Sequence, residues 1–321
     1  MKITFATAVA LAQKEEMERD ERVFVMGEDV AHFCNFFATD GLADIMGENR
    51  VINTPISETA IAGAAFGAAI SGLRPVAEIM YGEFFGYVDP LLNHIAKTHF
   101  MSNGKVNVPM VLRLPSGGKG GNGAAHSQNV EMVVANTPGL KIVAPSSASE
   151  AKGLLKTAIR DDDPVVFIEE KLLYPVVDEV SEDDYTIPFG KARIAREGSD
   201  VTIVSYGYMT DQAIRAAREL KKENIEVEIV DLRTLNPPDI ETPVQSALKT
   251  GRVIVAHQAC TFGGFGGEIV SQIQEKTFGK LKKPILRVGA LSAPVAANKA
   301  LEHCAMPDKD TLVAAVKEIM N

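Results

Sequence analysis

Two hydrophobic patterns alternate along the chain. Short, continuously apolar runs such as Val23-Phe24-Val25-Met26 recur between longer stretches in which apolar residues return every three to four positions. A short apolar run bounded by turn residues reads as a strand buried on both faces, and the longer period reads as a helix. On this basis the first half predicts helices near 4–18, 58–71, 86–99 and 147–159. Strands are expected at 23–26, 75–80, 108–113, 140–143 and 165–168. The second half repeats the alternation, with strands at 201–204, 227–230, 253–256 and 285–288. Its helices fall near 211–223, after Pro237-Pro238, and near 266–277. Such alternation predicts an α/β fold built on parallel sheets covered on both faces.

Between the halves, residues 177–186 are acidic (Asp178, Glu179, Glu182, Asp183, Asp184) and read as a solvated linker. The chain has 321 residues, enough for two domains of the usual size. The expected organisation is a domain over 1–176, a linker over 177–190 and a smaller domain over 191–321. A net charge of −9 argues against a general nucleic-acid binder and leaves room for a basic protein partner. Cys34, Cys260 and Cys304 are widely spaced, which gives neither a disulfide framework nor a zinc site and fits a reducing, cytoplasmic-type compartment. The longest apolar run, 60–70, falls short of the roughly 20 residues a membrane span needs. Lys2 followed by the apolar stretch 3–12 mimics a secretory signal, but Thr4, Thr7 and the unbroken helical pattern into Gln13-Lys14-Glu15-Glu16 favour a helix of the domain.

Several segments carry candidate chemistry. Asn53-Thr54-Pro55-Ile56-Ser57-Glu58 delivers a carboxylate onto a helix of small residues. Ser57 there can cap the helix, and Glu58 complements its positive end. The stretch Ser116-Gly117-Gly118-Lys119-Gly120-Gly121-Asn122-Gly123 invites a phosphate-cradle reading, yet Lys119 precedes glycine where a Walker loop needs Ser or Thr. The glycines are expected instead to fold a tight loop beside a site. His126 emerges from that loop with the neutral-range chemistry of a proton donor. The stretch 263–268 lacks a full dinucleotide-binding series, and His257, at a strand end just before it, is a candidate for facing a ligand at the sheet edge.

Taken together these residues resemble one family, the beta subunit of the thiamine diphosphate-dependent E1 component of 2-oxo acid dehydrogenase complexes (pyruvate, branched-chain 2-oxo acid and acetoin). The resemblance runs through Val23-Phe24-Val25-Met26-Gly27-Glu28-Asp29-Val30, Asn53 to Glu58, Gly72-Leu73-Arg74-Pro75 and His126-Ser127-Gln128. It continues through Pro138-Gly139-Leu140-Lys141-Ile142-Val143, Ala151-Lys152-Gly153-Leu154-Leu155, Val230-Asp231-Leu232-Arg233-Thr234-Leu235 and the glycines at 263–267. It covers essentially the whole chain in order. It implies a transketolase-like pyrimidine-binding domain followed by a transketolase C-terminal-type domain.

The resemblance further implies that Glu58 hydrogen-bonds the pyrimidine N1′ of thiamine diphosphate, with Ile56, Met80 and Phe84 lining the ring. His126 matches the histidine near the reacting carbon. A potassium ion is implied at Met110, Ala158, Ile159, Asp161 and Asp163, although Asp163 stands where the family usually has asparagine. No Gly-Asp-Gly occurs in the chain, so Mg2+ and the diphosphate are expected to be held mainly by an alpha subunit, in an α2β2 heterotetramer. The implied activity is that of an oxidoreductase, active only with that subunit, which cleaves the bond next to the carbonyl of a small-molecule substrate. It passes the acyl group to the lipoyl group of an acyltransferase (E2) core. Pyruvate is the first expectation and acetoin the second; transketolase-like ketol transfer and an inactive scaffold subunit are the more distant alternatives. Ala125, where glutamine is usual, and Ala296-Ala297, where Pro-Tyr is usual, bear on substrate fit or partner docking more than on reaction class.

Overall fold

The computed structural model describes residues 1–118 and 120–321, so Lys119 of the glycine-rich segment lies outside the described residues. Two units form: Met1–Ser116 with Val133–Phe189, and Gly117–Met132 with Gly190–Asn321.

In the first unit the apolar runs become parallel strands in the order Lys141–Val143, Val165–Glu170, Val111–Ser116, Arg74–Glu78, Val23–Gly27 and Val51–Asn53. Every residue of Val111–Ser116 and Val165–Glu170 is buried, which explains their lack of polar alternation. Helix Phe5–Arg19 starts where the Thr4 hydroxyl accepts the Thr7 N–H, and it packs on Ala148–Arg160, whose Ser147 caps Glu150. In the second unit the order is Leu286–Ala290, Val253–Cys260, Val201–Ser205, Val227–Asp231 and Arg193–Arg196, parallel except for the last strand. Helices Tyr208–Leu220 and Lys309–Met320 close one face over Ile203, Met209, Ala213, Ile229 and Val316.

Each sheet contains a switch point where the chain changes direction. From Val23–Gly27 the first unit runs to Val51–Asn53 on one side. It then returns to Arg74–Glu78 on the other side and continues away to Val111–Ser116. The loops leaving Val23–Gly27 and Arg74–Glu78 therefore diverge and open a crevice at the carboxyl edge, the usual ligand position in open α/β sheets. Val201–Ser205 and Val253–Cys260 stand in the same relation in the second unit.

Three expectations gain detail from the structure. The acidic stretch after 176 keeps Glu179, Glu182, Asp183 and Asp184 exposed, as a linker would, and is also tied to the first unit. Val177–Glu179 pairs antiparallel with Lys2–Thr4, and the Tyr185 hydroxyl donates to the Ser149 carbonyl at 2.7 Å. Asp184 pairs with Lys156 and with Arg160, which turns its charge into a docking contact and holds its carboxyl below the usual range, the Lys156 hydrogen bond being the larger cause. The expected helix near 86–99 is broken into the 3₁₀ turn Phe85–Tyr87, the wide turn Pro90–Ile95 and the short helix Thr98–Met101; Pro90 lacks the N–H that an uninterrupted helix would use. The segment Gly117–Met132, expected within the first domain, belongs to the second unit.

Candidate active site

The crevice of the first unit is built by close backbone approach. A Cβ at Gly27 would lie 2.7 Å from the Glu78 carbonyl oxygen, so only glycine lets these two strand ends meet. Glu28 follows directly and is 6% exposed. The Thr54 N–H donates to the Gly27 carbonyl at 2.9 Å, and the Ala31 N–H donates to Asn53 Oδ1 at 2.7 Å. These bonds hold the 54–57 loop over the same edge, where it delivers Glu58 as the first residue of helix Glu58–Ile70. The Ser57 hydroxyl makes no capping bond, so the expected cap is absent and the Glu58 charge alone complements the helix end.

Glu58 is clasped from the neighbouring loop. The Thr59 hydroxyl donates to the Gly86 carbonyl at 2.6 Å, and a Cβ at Gly86 would stand 3.2 Å from Glu58 Cβ and 3.4 Å from Oε2. That loop is pinned by the Gly82 N–H on the Pro115 carbonyl (2.8 Å) and by the Tyr87 hydroxyl on the Gly82 carbonyl (2.7 Å). Met80 and Phe84 are half-buried on it, with the Phe84 and Tyr81 rings 5.3 Å apart. Ile56 is 82% exposed at the mouth. Burial pushes the Glu28 carboxyl up, and the charge of nearby Glu58 pushes it further. Glu28 was not singled out from the sequence; its signal was a carboxylate directly after a glycine that ends an apolar run.

Beneath the crevice, Arg113 is fully buried between two carboxylates. It donates through Nε and Nη2 to Glu169 at 2.6 and 2.7 Å and through Nη1 to Glu78, while the Tyr174 hydroxyl donates to Glu169 at 2.8 Å. A pairing this complete fixes the strands whose ends carry the site.

His126 lies in the second unit, half-buried in the turn Ala124–His126, with its N–H on the Gly123 carbonyl at 3.2 Å. His257 does not face a ligand. It is fully buried, its imidazole is pushed down to about 4 by burial, and Cβ atoms at Gly264 or Gly266 would press into its ring. Gly264 and Gly266 are thus explained by packing on this histidine.

The residues matching a potassium site face protein cations instead. Arg74 donates to the carbonyls of Ile159 (3.1 Å) and Asp161 (2.8 Å). Lys141 reaches both Asp161 carboxylate oxygens, at 2.8 and 2.7 Å, and Asp163 at 3.0 Å. The carbonyls of Met110 and Ala158 accept the N–H groups of Val165 and Asp161. As arranged, this set holds Arg74 and Lys141 and does not fit a metal ion. Among the described residues, no group of three His, Cys, Asp or Glu side chains is placed to hold a metal, and no helix is long and apolar enough to cross a membrane.

Comparison with known proteins also divides the chain in two, with Gly117–Met132 inside the first match. Residues 1–177 match the family described as transketolase, pyrimidine binding domain, and residues 190–312 match transketolase, C-terminal domain. The chain is 43% identical to the mitochondrial pyruvate dehydrogenase E1 component subunit beta of Caenorhabditis elegans, covering 99% of this chain and 93% of that protein. It is 43% identical to the Rickettsia bellii subunit of the same name, with 99% of each chain covered. Identity to the 2-oxoisovalerate dehydrogenase subunit beta of Bacillus subtilis is 42%, covering 99% and 98%. The fold is similar to that of a split gene transketolase solved as an inactive beta4 tetramer, with a TM-score of 0.79, 24% identity and coverage of 99% and 98%. An α/β chain with these two transketolase domains and this identity over almost its whole length belongs to the family of E1-component beta subunits of the 2-oxo acid dehydrogenases.

Proposed function

We propose that this chain is the beta subunit of a thiamine diphosphate-dependent E1 of the pyruvate dehydrogenase type, working with an alpha subunit in an α2β2 assembly. The observation that carries this reading is Glu58, a carboxylate at a helix N-terminus, clasped by Gly86 at the switch point of a parallel sheet. Those residues fit an aminopyrimidine. An anionic acceptor suits a ring N–H, and exposed Ile56 with half-buried Met80 and Phe84 offers apolar surface for the ring.

When bound, thiamine diphosphate supplies the nucleophilic carbon and the electron sink for breaking the bond next to a carbonyl. Glu58 holds the proton at the pyrimidine N1′, and the Thr59–Gly86 bond keeps that carboxylate oriented. Ile56, Met80 and Phe84 exclude water from one face of the ring. His126, carried on the glycine-rich segment, hydrogen-bonds the substrate oxygen or delivers a proton to it. The alpha subunit provides the Mg2+ and diphosphate half that this chain lacks, and the lipoyl group of an E2 core accepts the acyl fragment. Relatives named for pyruvate and for 2-oxoisovalerate match almost equally well, so the acyl chain is settled by assay.

Calorimetric titration of thiamine diphosphate and Mg2+ into the chain, alone and after co-purification with its genomic neighbour, tests the reading. Binding only in the mixed complex, followed by turnover of pyruvate ahead of acetoin and branched 2-oxo acids, is the expected result. Tight binding to the lone chain would overturn the split site, and binding without turnover would favour a scaffold.

A further inference from the structure

The segment Gly117–Met132 is shaped against its own unit at its glycines. Gly117 has a left-handed backbone (φ 84°), and a Cβ there would collide with the side-chain oxygen of Gln258. A Cβ at Gly118 would lie 2.7 Å from Met306 Sδ and 3.2 Å from Glu302 Oε1. One at Gly121 would stand 3.3 Å from the Lys299 side chain, and one at Gly123 would stand 3.5 Å from Ala297 Cβ. The glycines therefore form a flat side that lies on the strand end at Gln258 and on helix Lys299–Ala305 with its flanks.

Two hydrogen bonds fasten that flat side. The Gly118 N–H donates to Gln258 Oε1 at 3.0 Å, across 140 residues of sequence, and the Gly121 N–H donates to Glu302 Oε2 at 2.8 Å, across 181. Gln258 and Glu302 are each 1% exposed. The Gly117 N–H closes the segment on the Gln128 carbonyl at 3.2 Å. These three N–H groups are therefore engaged by protein oxygens, and one of those is a carboxylate that would repel a phosphate. These three groups are not available to cradle an anion; they hold the segment in place. His126 sits inside the closed segment, in the turn bonded to Gly123.

We propose that Gln258 and Glu302 are positioning residues for His126, fixing the glycine-rich segment that carries it. This rests on the role proposed above for His126. A buried carboxylate accepting a backbone N–H is a strong, charge-assisted bond, and removing it leaves a buried donor unpaired. A segment released in this way displaces the imidazole, and a misplacement of about 1 Å of a reacting group costs on the order of 100-fold in rate.

The test uses the assembled complex with its alpha subunit and thiamine diphosphate. Gln258→Leu and Glu302→Ala are compared with Gln258→Glu and Glu302→Gln, which keep an oxygen acceptor. Turnover of a 2-oxo acid is followed with an artificial electron acceptor, with cofactor affinity by calorimetry, and each variant is repeated in a His126→Ala background. The expected result is a fall in kcat of about 10- to 100-fold for the acceptor-deleting variants. KM and cofactor affinity should stay unchanged, the acceptor-keeping variants should recover most of the rate, and no further loss should appear once His126 is alanine. An equal loss with and without His126, or no loss at all, overturns the positioning role. Should Gln258→Leu fail to assemble, the Glu302 pair alone decides between these results. Full activity in His126→Ala by itself overturns the reading of His126, and this inference with it.

Discussion

The two units carry the same topological feature and use it in opposite ways. At the first switch point, glycine at 27 lets the strand ends meet, and the space beyond them holds carboxylates: Glu28 buried, Glu58 half-exposed, with Ile56 bare at the mouth. At the second, the equivalent strand end is occupied by the chain itself. His257 is sealed among Gly264, Gly266 and Gly289, its ring parallel to Tyr206 at 6.4 Å, and Gln258 beside it is engaged by Gly118. One crevice carries Glu58 half-exposed, where a ligand can reach it; the other is filled by the chain's own backbone and side chains. Topology alone therefore names two candidate sites, and side-chain chemistry selects one of them.

The sharpest way to break this contrast is to remove the charge from the open crevice. Glu58→Gln keeps the size and the helix start, so the fold should survive. Turnover in the assembled complex should fall by about 100- to 10,000-fold, the range for a positioned proton-handling group. Steady-state assay with unchanged circular dichroism checks this, and a variant within a few-fold of wild type would return the first crevice to the status of the second. Next comes the support beneath it. Arg113→Met leaves Glu78 and Glu169 buried without their cation, and destabilisation of about 3–5 kcal/mol is expected in urea unfolding. A loss well under 1 kcal/mol would mean that the strands carrying the site stand without that ion network.

Most of the fold was legible because buried parallel strands show themselves as unbroken apolar runs, as in Val111–Ser116 and Val165–Glu170. The candidate site was legible where its geometry is local: Glu58 begins its helix as the sequence suggests. It was not legible where it depends on residues far apart. The ion pairs of Asp184 in the acidic stretch were not legible because Lys156 and Arg160 sit on a distant helix. The anchoring of the glycine-rich segment was not legible because its partners lie 140 and 181 residues further along the chain. His257 read as a site residue since its strand-end position is right; only the surrounding glycines, invisible as neighbours in sequence, reveal it as packing.

A smaller effect tests the sealed crevice directly. Gly266→Ala drives a methyl into the His257 ring, which has no space to retreat, and overpacking of this kind costs about 1–3 kcal/mol. Gly263→Ala is the control for open space, since nothing lies within 4 Å of a Cβ there; its φ of 66° makes its own cost one of backbone strain alone. Thermal unfolding of the two should therefore differ in cause: Gly266→Ala should be relieved by a smaller residue at 257, and Gly263→Ala should not.

The finest distinction is the direction in which pH loads each crevice. His257 is held neutral by burial, its folded value near 4 lying below the ordinary 6.5. The unfolded chain therefore binds a proton that the folded chain refuses, and stability is lost as pH falls from about 6.5 toward 4, by at most about 3 kcal/mol. Glu28 works the other way. Its folded value is raised by burial first and by Glu58 second, so the folded chain keeps a proton that the unfolded chain has released, and stability is lost as pH rises above the ordinary carboxylate value. Melting temperatures measured from pH 4 to 8 should show the acid-side loss flattened in His257→Gln and the alkaline-side loss flattened in Glu28→Gln. Glu28→Gln should also melt higher than wild type at neutral pH, because a neutral amide of the same shape takes no charge into the crevice. If both variants changed the same limb, or if Glu28→Gln melted lower at pH 8, the two edges would not be electrostatic opposites, and the open crevice would owe its carboxylates to structure instead of chemistry.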